Sequence, residues 1–151
     1  MWPETFSKIN LELSLLKKLL DSFDSLIDQV KTREPTKVEL IALAGILHSF
    51  YSGFENIFKR ISQDIDGGLK KSDSWHADLL ENMILKTPKR SAVISENLKE
   101  RLQLYLGFRH VFRSMYSYDL NWTKMQDLVF ESKEILKLVE AEMKMFIQKN
   151  Q

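Results

Sequence analysis

Ile9, Leu13, Leu16, Leu20, Phe23, Ile27 and Val30 recur at alternating steps of four and three residues, the period that places side chains along one seam of an α-helix. Leu11, Leu15, Leu19 and Leu26 widen that seam, so the segment buries more than a narrow coiled-coil stripe. Such a helix serves either the core of one chain or the contact between two copies. It should end near Glu34, because Pro35 disfavours helical backbone in its predecessor. Five Gly and three Pro among 151 residues punctuate the chain sparsely, which favours a few long elements over many short strands.

The next helix opens on Thr36-Lys37-Val38-Glu39, a capping box in which hydroxyl and carboxylate each satisfy a free backbone N–H. It runs through Leu43, Leu47, Phe50, Phe54, Phe58, Ile61 and Ile65 to Asp66-Gly67-Gly68, where glycine tolerates the left-handed stop. A shorter helix is predicted from Asp73 to Leu85 and closes at Thr87-Pro88. Lys86, Lys89 and Arg90 then form a basic loop, which is either a solvated linker or a phosphate contact. A fourth long pattern runs from Ser95 to about Tyr118. After a break at 119–121, Asn121 can cap a last helix from Trp122 to Lys149. These elements predict an all-α fold, an antiparallel helical bundle of four long helices plus one short helix, as one domain over residues 1–151.

Composition removes several function classes. With 22 Lys+Arg against 21 Asp+Glu, the net charge is +1, so nucleic-acid contact must be local, not driven by a global field. The absence of cysteine excludes a thiol nucleophile and a disulfide framework, and it fits a reducing, cytoplasmic setting. No basic leader or long apolar span is present, so no membrane association is expected. His48, His76 and His110 stand far apart in sequence, and neither a metal site nor another cofactor is expected. Gly-rich phosphate loops, nucleophile elbows and zinc-protease helices are also absent.

The informative segment runs from Gly107 to Asp119. At about 100° per residue, Arg109, Arg113 and Tyr116 fall on one helix face, with His110 and Ser114 one turn apart on an adjacent face. Two guanidiniums, an imidazole, a hydroxyl and a phenol suit a phosphodiester. Arginine can hold the anion with two donors, and an imidazole can move the proton of an RNA 2′-hydroxyl. The plainer account is a set of surface charges with a snorkelling tyrosine.

Arg109 to Tyr116, followed by Tyr118-Asp119-Leu120-Asn121-Trp122, resembles the motif of the HepT-like branch of the HEPN ribonuclease-toxin proteins. That motif reads Arg, usually Asn, three mostly apolar residues, His, any residue, then Tyr. The wider resemblance, strongest over 41–66 and 100–128, covers most of the chain. It implies that Arg109 binds phosphate and that Tyr116 is the residue a nucleotidyltransferase antitoxin modifies with AMP. Three positions depart from the motif: the catalytic His falls on Ser114, His110 replaces Asn, and Arg113 adds charge where the family is apolar. A serine hydroxyl is no base near pH 7 unless another group takes its proton, but His110 lies one turn away and can reach the same phosphate.

The resemblance further implies a homodimer whose motif helices share a cleft. Phe50, Tyr51, Phe54, Met143 and Phe146 are candidates for that contact, or else for the core. Three functions follow: a metal-independent RNA endonuclease of a toxin–antitoxin pair, a catalytically degenerate binding subunit of the nucleotidyltransferase, or a structural bundle alike in fold alone. In the first, Arg109 and Arg113 contact RNA while Arg109, His110, Arg113 and Ser114 make up the catalytic set. DNA is not an expected partner.

Overall fold

The computed structural model describes residues 1–114, 116 and 119–151, except for the side chain of Ser114. Its helices are α1 (Pro3–Ser22), α2 (Asp24–Gln29), α3 (Lys37–Asp64), α4 (Trp75–Asn82), α5 (Glu96–Ser114) and α6 (Trp122–Asn150). The fold is all-helical, and among the described residues there is no strand.

The first apolar seam does not form one continuous helix. Phe23 leaves helical geometry at φ −113° and ψ 12° and separates α1 from α2. A straight α-helix drifts about 20° per heptad against a strict seven-residue repeat. Over three heptads that drift amounts to about 60°, and beyond the break at Phe23 Ile27 and Val30 are buried, as Leu16 and Leu20 are before it.

α3 lies at the centre and packs against α1, α4, α5 and α6. Its Phe50, Tyr51, Phe54 and Phe58 are all fully buried. Phe50 meets Phe54 edge-on at 4.6 Å and Tyr105 of α5 at 5.5 Å. Met143 and Phe146 of α6 are equally buried within the single chain. The five residues offered as a dimer contact are therefore core, because α3 is covered from several sides at once. Gly53 faces α1, where a side chain would lie 2.9 Å from Leu16 Cγ; lacking one, it lets the two helices approach closely.

Both halves of the capping box form at the start of α3: Glu39 N donates to Thr36 Oγ1 at 3.2 Å, and Thr36 N donates to Glu39 Oε1 at 2.9 Å. Arg33 grips the same carboxylate with two nitrogens, at 2.8 and 2.9 Å. The Arg33 hydrogen bond, then the backbone donor of Thr36, hold the Glu39 carboxyl down to about 2 from its ordinary 4.5. A carboxyl depressed by folding stabilises the native state above its unfolded pKa and loses that contribution as pH falls through the folded one. Wild type should therefore melt above Glu39→Gln at pH 6, and the gap should close between about pH 4.5 and 2. A gap that stays constant in thermal melts across that window would mean the cap carries no titrating contribution.

α3 stops where expected, with Gly67 and Gly68 at φ +88° and +119°. Asn121 precedes α6 in extended geometry, but its side chain makes no capping hydrogen bond. Of the three cations in the basic loop, Lys86 and Lys89 are exposed, while Arg90 departs from the phosphate-contact reading. Arg90 turns inward, its Nε and Nη2 donating to the Asp66 carboxylate at 2.7 and 2.9 Å. Nη1 and Nη2 also donate to the carbonyls of Leu85, Ser91 and Asn82. A guanidinium so engaged ties the end of α3 to the segment that follows α4 and cannot serve as a phosphate contact.

A polar junction of three helices as the candidate functional site

α3 carries a polar stripe beside its aromatic core face. His48, Ser52, Glu55 and Lys59 follow one another at steps of four, three and four residues, which aligns them along one side of the helix. Glu55 is only 1% exposed. A carboxylate so far from water needs charged or hydrogen-bonding partners, and α4 and α5 supply them.

α4 is anchored by Leu79, Leu80 and Met83, all buried, and by the Met83 carbonyl, which accepts from Val93 N at 2.8 Å. That anchoring presents His76, in the first turn of α4, to Glu55: His76 Nδ1 lies 2.7 Å from Glu55 Oε2. Trp75 stacks on the imidazole at a centroid distance of 3.6 Å, and Lys59 Nζ stands 5.4 Å over the indole. On α5, Leu98, Leu102 and Tyr105 form the inward seam, fixed by Tyr105 Oη donating to Leu128 O at 2.7 Å. Arg109 is the next position on that seam, one turn after Tyr105.

Arg109 therefore points at α3 and α4 instead of open solvent, with 12% of its side chain exposed. Its Nη2 is 3.9 Å from Glu55 Oε1, its Nε donates to Ser52 Oγ at 3.4 Å, and its Nη1 lies 3.5 Å from His76 Nδ1. Nδ1 cannot both donate to the carboxylate and accept from the guanidinium. The contact at 2.7 Å is the stronger, so Nδ1 donates to Glu55 and the approach of Arg109 is one of charge alone.

The other motif residues surround this junction. His110 is exposed, with its ring edge-on to His76 at 5.7 Å. Arg113 is exposed in the last turn of α5, and its charge is felt at His48. Burial first, then the positive charges of Arg109 and Arg113, push the His48 imidazole below its ordinary value; its ring lies 5.6 Å from Phe112. Tyr116 follows α5 and is 71% exposed, so Arg109 and Tyr116 differ sharply in accessibility although the helical projection put them on one face. The Ser114 side chain and Tyr118 lie outside the described residues.

Three histidines far apart in sequence thus converge on one junction. Among the described residues, however, no group of three His, Asp or Glu side chains is disposed to hold a metal ion. The sequence reading missed Ser52, Glu55 and His76 as site residues. The available signal was Glu55 itself, a carboxylate one turn from Tyr51 and Phe58 in a helix otherwise patterned for the core. No helix is long and apolar enough to cross a membrane.

An all-helical fold with an arginine-bearing motif on its penultimate helix, turned into a polar junction, defines the class of protein. The sequence model of the family described as HepT-like protein matches residues 42–150, which takes in α4, α5 and α6 whole and nearly all of α3. The chain belongs to the HepT-like protein family. No curated protein and no solved structure matches it.

Proposed function

We propose that the chain is a metal-independent RNA endonuclease, the toxin of a cytoplasmic toxin–antitoxin pair, working as a homodimer beside a nucleotidyltransferase antitoxin. The observation that carries this reading is the guanidinium of Arg109, held by three helices next to His76 and His110. A fixed cation stabilises charge on a phosphorane-like transition state without reorganising during the reaction. Neighbouring imidazoles can exchange the protons of a 2′-hydroxyl and a leaving 5′-oxygen, and these two roles suffice for transesterification of RNA.

Support for a dimer comes from α5 itself. Leu104 and Val111 are 62% and 52% exposed, and they border a groove of 470 Å³ that also takes in Phe108, Leu120 and Met125. A second copy covering this apolar strip would bring two motif helices together. The exposure of Tyr116 suits a hydroxyl that must enter another enzyme's active site to receive AMP.

The test is cleavage of single-stranded and transfer RNA by purified protein in EDTA, with products carrying cyclic phosphate ends. Absence of cutting on every RNA would reject the endonuclease. The alternative is a HepT-like binding subunit that has lost cleavage, favoured by Ser114 at the motif's imidazole position. It is supported if the parent is inert and Ser114→His gains activity.

A further inference from the structure

We propose that His76, oriented by Glu55, supplies the general base that the α5 motif lacks at Ser114, so that the reactive imidazole of this chain is carried on α4. This deepens the endonuclease reading and rests on it. An imidazole acts as a directed base when one nitrogen is held by a hydrogen-bond acceptor, because that contact fixes both the tautomer and the orientation of the ring. His76 meets this requirement. Nδ1 donates to a carboxylate that is itself buried, at 2.7 Å, and Trp75 fixes the ring plane from one face at an interplanar angle of 29°. Nε2 then carries the lone pair, and it takes part in no hydrogen bond among the described residues.

The titratable and charged groups facing this imidazole come from two helices. α3 contributes Glu55, with Lys59 beyond the indole. α5 contributes Arg109, at 3.5 Å from the same ring, and His110, edge-on at 5.7 Å. The phosphate-binding guanidinium and the candidate base are thus adjacent. In the step itself, the proton of the RNA 2′-hydroxyl passes to His76 Nε2 and the 2′-oxygen forms a bond to phosphorus. The phosphorus–O5′ bond breaks, the departing O5′ takes a proton from water, and the hydroxide left behind takes the proton held on His76 Nε2, which returns the imidazole to its neutral form. One product ends in a 2′,3′-cyclic phosphate and the other in a 5′-hydroxyl.

The experiment measures RNA cleavage in EDTA by wild type, His76→Asn, His76→Ala and His110→Ala, with thermal melts of each. Asparagine preserves a donor where Nδ1 stood, so His76→Asn should keep the contact to Glu55 and stay folded while losing about 10³-fold in rate. His76→Ala should be similarly slow and recover about tenfold with added imidazole, which restored folding alone would not produce. Cleavage by folded His76→Asn within about threefold of wild type would overturn the assignment and leave the endonuclease standing. So would imidazole rescue of His110→Ala in place of His76→Ala. If wild type cuts no RNA, the endonuclease reading and the base assignment fall together.

Discussion

Arg109→Ala is expected to lower RNA cleavage by about a thousandfold, in the range found when a fixed cation or oxyanion donor is removed from a phosphoryl or acyl transfer site. The size of the effect follows from placement. Arg109 sits on rigid α5, and its guanidinium is restrained by Ser52 and Glu55 of α3 and by His76 of α4. Alanine therefore removes a preorganised charge that water cannot replace in the same position. The same substitution also has a structural cost, since it leaves the buried Glu55 carboxylate with the His76 hydrogen bond but without the guanidinium. Removing one member of a buried charged set typically costs about 3 kcal/mol. Arg109→Lys separates the two effects. It keeps the charge but not the planar fork, so most of the stability should return while cleavage stays at least about tenfold low. Urea unfolding and initial cleavage rates on the three proteins provide the check. Wild-type cutting by Arg109→Ala would remove Arg109 from the chemistry altogether.

Arg90→Ala should destabilise the fold by about 4 kcal/mol, within the range for breaking a buried ion pair. Only 1% of the Arg90 side chain is exposed, yet its guanidinium satisfies a carboxylate and three backbone carbonyls from two stretches of chain. Truncation leaves Asp66 facing a void and removes the side-chain donor from the carbonyls of Leu85 and Ser91, whereas the Asn82 carbonyl keeps the Leu85 N–H; an inward polar group without a partner costs stability. Arg90→Met fills the space without donating and should recover little of the loss. A second consequence concerns the site: the clamp fixes the segment after α4, and α4 carries His76. Urea denaturation midpoints give the stability. A loss below about 1 kcal/mol would show that the carbonyls find other donors.

Much of this fold is legible in the sequence because its long helices are written as apolar repeats. The seam from Ile9 to Leu20, the box at Thr36 to Glu39 and the glycine stop at Gly67 each correspond to a local physical requirement, and each appears in the structure. The break at Phe23 is not written locally. Phe23 continues the apolar seam by type and spacing, and neither Gly nor Pro stands beside it to mark a stop.

The site divides in the same way. Arg109 was legible because the motif is contiguous on one helix. Its partners Glu55 and His76 come from two other helices, 54 and 33 positions earlier, and only packing brings them together. Arg90 reads as a surface cation for a related reason: composition cannot distinguish a solvated guanidinium from one whose carboxylate lies 24 residues upstream.

Glu55, His76 and Arg109 all belong to one polypeptide, and they meet without help from outside it. If two copies associate along α5, the cleft they frame receives two self-sufficient sets of groups, not one set shared between halves. Such an arrangement tolerates damage unevenly: a lesion in one copy silences its own centre and leaves the neighbouring centre intact.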